Sequence, residues 1–451
     1  MMRLALAVQN RFRAKRDIRT VLWRRGGYIA AFLLTAFIAN LFVSKERAVT
    51  WDMLGHDFLA LYYGGDCALT GHYEQLYDLP ATKAFEFKTG HAAGLAIGDS
   101  FGPWWNPPFA AWMFAPFAAL PYLAALHAWW IVSAICLAAS IFLLCGMLRG
   151  NWRTRLLVPL LILTSKPCFL AFCHGQNTFV SLFFLTATVW LWRSGRPLLA
   201  GIVCGLLFYK PQLGVVIAAV LCLTGGRRAL LGVCLTGTAL AVVNILTMPG
   251  TLHEFVYHVP LNLRWIQEQN VYRWERHVTL KAFWRSVIQG DAIGPTGFAA
   301  RIWWGLSEIA LLAGLTPLMI RAVGRNRSSS RRDRLIAATI VAMPLLMPFY
   351  FDYDLLLVSV GIVVYAADWQ NSRGAEFGEN WEDRWLIRVW TLVFFMLWTL
   401  FILVMIWKPM SNLTVPLLAA GAALLIRRGL RPESARAAIA APNLPPAALA
   451  A

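Results

Sequence analysis

One stretch of the chain, residues 50–66, combines carboxylates, a histidine and aromatic side chains directly after the first long apolar run. The carboxylates are Asp52, Asp57 and Asp66, and the histidine is His56. A carboxylate beside a membrane costs free energy unless it faces water, a partner or a substrate. A positioned carboxylate can act as general base on a hydroxyl group, so Asp57 is the first candidate for chemistry. The alternative is that these acids are solvated loop residues or helix caps.

Further polar residues stand at the ends of later apolar runs, where cations could hold a phosphate group opposite the base. Simpler interpretations stay open for each of them: a turn between helices, a lysine that reaches lipid head groups, a helix cap, or arginines bound to anionic lipid. Together with two tyrosines that follow Asp57, the candidate binding residues are Tyr62, Tyr63, His174, Gln176, Asn177, Lys210, Arg264, His277, Asp352 and Asp354.

The composition of the 451-residue chain is typical of a polytopic membrane protein. Hydrophobic residues make up 59% and charged residues 14% of the chain, whereas a soluble domain carries about 25% charged residues. Apolar runs of about 20 residues, long enough to span a membrane as helices, recur from end to end. The net charge of +18 comes from short Lys and Arg clusters between these runs, as the positive-inside rule expects. The sequence has no contiguous basic patch, which argues against nucleic-acid binding.

The predicted fold is an all-α bundle of about twelve transmembrane helices. Residues 1–27 are basic and predicted to be cytoplasmic, and residues 28–43 form an uncleaved signal anchor, because no small-residue cleavage site follows. The stretch around Asp57 is then external. We expect one membrane domain, residues 28–426, whose external loops at about 44–121 and 249–298 carry juxtamembrane helices. The tail, 427–451, is predicted to be cytoplasmic and disordered.

Charge clusters and prolines determine the details of this topology. Residues 109–120 are shorter than the ~17 residues that a span needs, which predicts a juxtamembrane or re-entrant helix. Residues 156–172 are predicted to be one span. Residues 198–223 lie between two basic clusters, and Pro211 in their middle predicts two short helices that meet on the outer side. The loop 249–298 suits an interfacial helix pair. All candidate residues then lie on the external side, which favours a shared cavity.

Cysteine and metal motifs are uninformative. Most cysteines lie in or beside apolar runs and no CxxC pair occurs, so we predict neither a disulfide framework nor a zinc site. Asp57, Asp66, Asp352 and Asp354 could hold a divalent ion through oxygen, although their spacing does not require one. No metal ligands are therefore assigned, no cofactor is required, and a divalent metal is not excluded.

The residue types favour one reaction class. A phosphate leaving group departs as an anion without protonation, so one carboxylate with Lys or Arg partners suffices for glycosyl transfer from a lipid phosphate. A glycoside hydrolase would need a paired acid and base on either side of the bond. The sequence contains no glycine-rich nucleotide loop, which argues against a sugar-nucleotide donor.

Several short motifs, in their order and spacing, resemble the integral-membrane glycosyltransferases of family 87. They are GHDFLALYYGG at 55–65, GHYEQLYD at 71–78, WNPPF at 105–109, HGQN at 174–177, AGIVCG at 200–205 with the Lys-Pro pair at 210–211, and PFYFDYD at 348–354. The similarity runs from about residue 28 to residue 365. Relatives often carry other residues before the Asp-Phe pair, so His56 is not expected to be essential.

The resemblance implies a fold of the GT-C superfamily and a polyprenyl-phosphate sugar, typically mannose, as donor. It implies that Asp57 is the catalytic base, and that Lys210 and arginines of the second external loop receive the donor phosphate. The expected partners are this donor, a glycolipid or polysaccharide acceptor, and membrane lipids. The expected location is the bacterial inner membrane, with the active site facing the periplasm.

Two other functions are compatible with parts of the sequence. A lipid-carrier or sugar transporter would need charged residues near the middle of several spans and often shows internal repeats. No clear repeat is visible, and Lys166 and Lys210 are among few charges inside the apolar runs. A non-catalytic assembly subunit would have no need of Asp57. The acceptor, the sugar and the linkage are not determined by the sequence.

Overall fold

The computed structural model describes residues 54–97, 101–149, 152–163, 165–269, 272–290, 292–323, 329–373 and 413–430. Within these ranges the backbone is helical, with no strand and one isolated bridge between His277 and Phe351. The basic N-terminus, the predicted signal anchor and residues 374–412 of the predicted membrane domain lie outside the described residues. The last described helix continues to Leu430, so residues 427–430 of the predicted tail are helical.

Sixteen α-helices are described, and short 3-10 turns join several of them. In chain order they are α1 Phe58–Thr70, α2 Leu79–Ala92, α3 Ala111–Ala118, α4 Tyr122–Met147, α5 Trp152–Leu163, α6 Lys166–Cys173, α7 Thr178–Arg193, α8 Pro197–Leu206, α9 Pro211–Gly225, α10 Arg227–Thr247, α11 Thr251–Gln269, α12 Leu280–Gln289, α13 Phe298–Val323, α14 Ser329–Leu346, α15 Val358–Arg373 and α16 Thr414–Leu430.

Three of the described helices, α4, α10 and α13, are long and apolar enough to cross a membrane. Four shorter apolar helical segments accompany them: Pro108–Ala118, Thr178–Arg193, Pro197–Tyr209 and Pro211–Gly225. The long helices expose apolar side chains on their surfaces, for example Phe142 on α4 and Leu246 on α10. Such surfaces are stable in lipid, so the protein is membrane-associated. The described helices do not test the predicted number of twelve spans.

The prediction of two short helices around Pro211 is confirmed. Helix α8 ends in a 3-10 turn, Leu207–Tyr209, and α9 starts at Pro211, which leaves Lys210 at the break. The segment 109–120 is also short, a 3-10 turn followed by the eight-residue α3. The segment 249–298, predicted to be the second external loop, contains the expected helix pair, α11 and α12.

The prediction of one span over residues 156–172 is wrong. The chain breaks there into α5 and α6, and α6 starts afresh after Ser165. The Ser165 hydroxyl accepts a hydrogen bond from the backbone N–H of Cys168 at 3.4 Å, and Pro167 occupies the first turn. A serine cap followed by proline is a helix-start signal, which overrides the apolar run around it.

Two apolar clusters position the polar residues. The larger cluster is built mainly from α7, α8, α9, α14, α15 and α16. The smaller one packs α1 and α3 against the start of α4 through aromatic rings. In it Phe58 stacks on Trp129 with ring centroids 5.9 Å apart, and Phe114 lies 5.1 Å from the same indole. Both clusters meet at the turns that carry Asp57 and His174.

Candidate active site

Two glycine turns hold the start of α1 against the end of α6. Gly55 has φ +79° and Gly175 has φ +69°, values that favour glycine. The Gly55 N–H donates to the Cys173 carbonyl at 2.6 Å, and the Tyr122 hydroxyl donates to the Gly55 carbonyl at 2.7 Å. The Trp129 indole N–H donates to the Gly175 carbonyl at 2.9 Å. The two turns are therefore fastened to each other and to α4.

Asp57 stands at the N-terminus of α1 but does not cap it, because its side chain makes no hydrogen bond to the helix backbone. Instead the Gln176 amide Nε2 donates to Asp57 Oδ2 at 2.6 Å. His56 Nε2 lies 2.8 Å from Asp57 Oδ1, and His174 Nδ1 lies 3.6 Å from Oδ2. The side chain keeps 22% of its surface exposed. The carboxylate is thus oriented by three side chains and still reachable from outside.

The surroundings of Asp57 favour its ionised form. Burial raises the pKa of this carboxyl. His56 and the positive charge of Arg276 lower the pKa by a larger amount, so it lies below its usual range. Burial lowers the pKa of the His174 imidazole to about 3, and His174 is therefore neutral at pH 7. A carboxylate that stays ionised can accept a proton from a bound hydroxyl, and Gln176, His56 and His174 orient Asp57 for that step.

Asp352 lies between two cations. Arg276 Nη2 is 3.3 Å from Asp352 Oδ1, and Lys166 Nζ is 3.7 Å from Oδ2. Burial raises the pKa of Asp352, and the charges of Arg276 and Lys166 lower it below the usual range. Asp352 is therefore ionised and serves as a counter-ion that holds the two cations in place.

Asp354 holds a third cation in the same way. Lys210 Nζ is 3.0 Å from both carboxylate oxygens of Asp354, and the Thr178 hydroxyl donates to Oδ1 at 2.7 Å. Lys210 and Asp354 are both buried. The two candidates that the sequence analysis placed in one cavity are thus in direct contact, and Lys210 does not extend to lipid head groups.

The second external loop reaches these residues by packing against the segment 350–354. The Val278 N–H donates to the Tyr350 carbonyl at 2.9 Å, and the His277 ring lies 4.2 Å from that of Phe351. The Arg276 guanidinium lies over Phe351 and Tyr353, 5.6 and 5.9 Å from the two ring centroids. These contacts place Arg276 beside Asp352 and bury His277 among aromatic rings.

Asn177 contributes to the turn after Gly175. Its backbone carbonyl accepts a hydrogen bond from the Tyr209 hydroxyl at 3.0 Å. Its side-chain Oδ1 is buried, and no described residue donates to it. The structure therefore links Asn177 to the break between α8 and α9, where Lys210 lies. The Asn177 side-chain Oδ1 is available as a hydrogen-bond acceptor.

Three candidates are placed elsewhere. The Tyr62 hydroxyl donates to the Leu120 carbonyl at 2.9 Å, and the Tyr63 hydroxyl donates to the Gln75 carbonyl at 2.8 Å. Arg264 lies on α11 with 73% of its side chain exposed, 4.0 Å from Glu268. None of the three contacts the Asp57 carboxylate within the described part of the chain, so the tyrosines are anchors of α1 and Arg264 faces solvent.

Four residues join the site that were not among the candidates: His56, Lys166, Arg276 and Glu86. Lys166 had a signal, since it is a lone charge inside an apolar run. Glu86 had none, because the sequence around it is polar and Glu86 is one of several charged residues there. It is 2% exposed, its Oε2 accepts from the Gly102 N–H at 3.0 Å, and burial raises its pKa to about 8.

The described residues offer one set of metal-ligand type. The donor atoms of His56, Asp57 and His174 all lie within 4.8 Å of one another. The all-oxygen set considered from the sequence is not assembled in this way, because Asp352 and Asp354 are occupied by Lys and Arg side chains.

Comparison with known proteins gives one match. The family model for glycosyltransferase family 87 matches residues 104–348, more than half of the chain. The match includes Lys166, the turn 174–177, Lys210 and Arg276, and it leaves Asp57 outside. No curated protein and no solved structure matches the chain.

Proposed function

The chain belongs to glycosyltransferase family 87, and from this premise we propose that it transfers a hexose, most simply mannose, from a polyprenyl phosphate to a hydroxyl group of a glycolipid or polysaccharide. The observation that carries the proposal is the position of Asp57. It is an ionised, partly exposed carboxylate, oriented by Gln176, His56 and His174, near two buried lysines, Lys166 and Lys210, and the partly exposed Arg276.

In the proposed reaction Asp57 is the general base. The acceptor hydroxyl gives its proton to a carboxylate oxygen of Asp57 while its own oxygen bonds to the anomeric carbon of the sugar. The bond between that carbon and the phosphate oxygen breaks, and its electron pair leaves with the polyprenyl phosphate. The hydrogen bond from Gln176 keeps the carboxylate aimed, so that the acceptor meets a fixed base.

The leaving phosphate needs positive charge but no acid. Arg276, Lys166 and Lys210 supply it, and Asp352 and Asp354 hold these cations in place before the substrate arrives. Cations positioned in advance stabilise charge that develops in the transition state without reorganising then. Arg276 supports the role that the sequence analysis gave to second-loop arginines, whereas the exposed Arg264 does not contribute to the same site.

The direction of the helices supports an active site on the periplasmic face of a bacterial inner membrane. Helix α7 runs from Asn177 at the site to Arg193 at its other end, and α14 runs from an arginine-rich start towards Tyr350. The basic ends therefore lie opposite Asp57, as the positive-inside rule expects of a cytoplasmic face. We include in this proposal the GT-C-like arrangement of about twelve spans.

The test is a donor panel with purified full-length protein in detergent. Polyprenyl-phosphate sugars that differ only in the hexose are incubated with a glycolipid acceptor fraction, and release of polyprenyl phosphate is measured. We expect the strongest release with the mannose donor, together with transfer of that sugar to the acceptor. Movement of the intact donor across vesicles without release of lipid phosphate would instead identify a transporter.

A further inference from the structure

The side chains of His56, Asp57 and His174 lie close together, and hydrogen bonding to the Asp57 carboxylate does not by itself account for this arrangement. His174 is 5% exposed, and its Nδ1 is buried with no hydrogen-bond partner in the described chain. This atom is aimed at Asp57 Oδ2 from 3.6 Å. Two ligands of one tetrahedral zinc ion at ordinary bond lengths are separated by about 3.3 Å. His174 and Asp57 are therefore spaced as two such ligands are.

His56 completes the set from the opposite side. Its Nε2 lies 2.8 Å from Asp57 Oδ1, and the His56 and His174 rings meet edge to face with centroids 4.9 Å apart. One donor atom from each of the three residues lies within 4.8 Å of the others. This spread is wider than the ligand spacing of a tetrahedral ion, so the partly exposed His56 side chain has to turn towards the ion when it binds. Gln176 donates to the carboxylate at 2.6 Å, an outer hydrogen bond of the kind that orients ligating carboxylates.

The framework of this set is rigid, because the glycine turns at 55 and 175 are joined by backbone hydrogen bonds and by Tyr122 and Trp129. A rigid set loses little entropy when it binds an ion. Arg276 is the charge that opposes a cation here, and it is held by Asp352 at 3.3 Å.

We propose that His56, Asp57 and His174 form a binding site for one divalent transition-metal ion of the zinc class. Two imidazoles and one carboxylate suit zinc, cobalt or nickel, whereas magnesium and calcium prefer oxygen ligands throughout. The ion uses the carboxylate lone pairs, so its bound form lacks a free base. This effect on turnover rests on the proposed function; the binding itself does not.

A second histidine group serves as the matched control. On α11, His258 Nε2 lies 2.9 Å from Glu254 Oε2 and His253 Nδ1 lies 3.6 Å from Oε1, with side chains 42%, 41% and 80% exposed for His258, Glu254 and His253. These groups are mobile surface side chains with no outer support. Weak binding of added metal is therefore possible there and must be separated from binding at Asp57.

The experiment measures metal content and spectra of purified full-length protein without a histidine tag. The protein is treated with a chelator, loaded with Zn²⁺ or Co²⁺, and passed through a desalting column before elemental analysis. The variants are His56→Ala, His174→Ala and the control double variant His253→Ala/His258→Ala. Thermal midpoints are recorded for each, because His174 is buried and its removal could disturb folding.

We expect one retained zinc ion per chain in the wild type and in the control double variant, and a visible Co²⁺ band of a site with nitrogen ligands. His56→Ala, whose side chain is partly exposed, should lose the ion at an unchanged thermal midpoint. Added Mg²⁺ should not compete. Retention of zinc by His56→Ala, or its loss in the control double variant alone, would overturn the proposal.

The effect on turnover separates this inference from the function. If the metal-free enzyme releases polyprenyl phosphate and zinc suppresses the release, both stand. If the metal-free enzyme is active and no zinc is retained, the metal site is refuted and the transferase remains. If zinc is retained but no donor reacts, the site stands and the proposed function fails.

Discussion

Acidic residues lie near both ends of helices α7 and α14, and their surroundings differ between the two ends. At the end away from Asp57, Arg193 Nε lies 3.0 Å from Asp333 Oδ2, and Arg334 Nε lies 2.9 Å from Asp368 Oδ2. The acids are almost fully buried. At the Asp57 end, the described residues place no lysine or arginine within ion-pair distance of the Asp57 carboxylate, which remains partly exposed.

The difference distinguishes acids that hold helices together from an acid that is available for chemistry. Each buried acid of the Arg193–Arg334 end has an arginine in direct contact, so its charge is neutralised within the protein. Asp352 and Asp354 follow the same rule at the site. Asp57 instead is contacted by Gln176 and two histidines and stays partly exposed, so its carboxylate remains accessible to a bound hydroxyl.

The largest effect is expected from Asp57→Asn, which keeps the shape of the side chain and removes its basicity. Because general base catalysis contributes about 10²- to 10⁴-fold, turnover should fall by that range while the thermal midpoint stays within a degree or two of wild type. The assay is release of polyprenyl phosphate from the preferred donor. Turnover near the wild-type value would remove Asp57 from the mechanism.

Arg334→Met, at the end of the helices away from Asp57, is expected to lower stability and to leave turnover unchanged. The change leaves Asp368 buried without its arginine, which costs about 3–5 kcal/mol of folding free energy. Thermal unfolding in detergent should show a marked loss, while turnover per folded molecule is retained. Arg332→Met is the control, since Asp333, which Arg332 contacts at 3.4 Å, keeps its shorter contact to Arg193 at 3.0 Å. Equal losses in both would contradict the assignment.

A smaller change in catalysis is expected from Arg276→Gln. A hydrogen bond to a charged group contributes about 1.5–3 kcal/mol, so kcat/KM for the donor should fall roughly 10- to 100-fold. Arg264→Gln is the matched control on the same external loop and should have little effect, because that side chain faces solvent. Similar losses for both arginines would indicate general attraction of anionic lipid rather than a phosphate site.

The last expected effect is one of pH on stability, through Glu86. Burial raises its pKa from 4.5 to about 8 in the folded protein. Between these values the folded state binds more protons than the unfolded state, so stability falls as pH rises through this window and levels off above pH 8. Glu86→Gln should remove this slope and be the more stable form at pH 8 to 9. Parallel thermal midpoints for both proteins from pH 5 to pH 9 would rule this out.

The sequence predicted the features that depend on local chemistry. Pro211 within an apolar run predicted the helix break, which is found, and Lys210 at this break is buried. Residues 109–120 were too short to span, and they form the short helix α3. The Ser165-Lys166-Pro167 start of α6 carried an equally local signal, which the apolar character of its surroundings obscured.

The contacts of the site depend on how distant segments pack, which no local pattern contains. Arg276 reaches Asp352 only because the second external loop pairs with the segment at Tyr350. Tyr62 and Tyr63 follow Asp57 closely in sequence, yet their position along α1 turns their hydroxyl groups to the Leu120 and Gln75 carbonyls. Closeness in sequence on a helix is not closeness to a site.

The central claim is that one carboxylate, Asp57, activates the acceptor in a single displacement. The most direct test is the anomeric configuration of the product, determined by NMR from a donor of known configuration. A hydroxyl activated by a lone base attacks from the face opposite the leaving phosphate, so the account predicts inversion. Retention would contradict it, because retention by two carboxyl groups requires a second, nucleophilic carboxylate about 5–5.5 Å from the first.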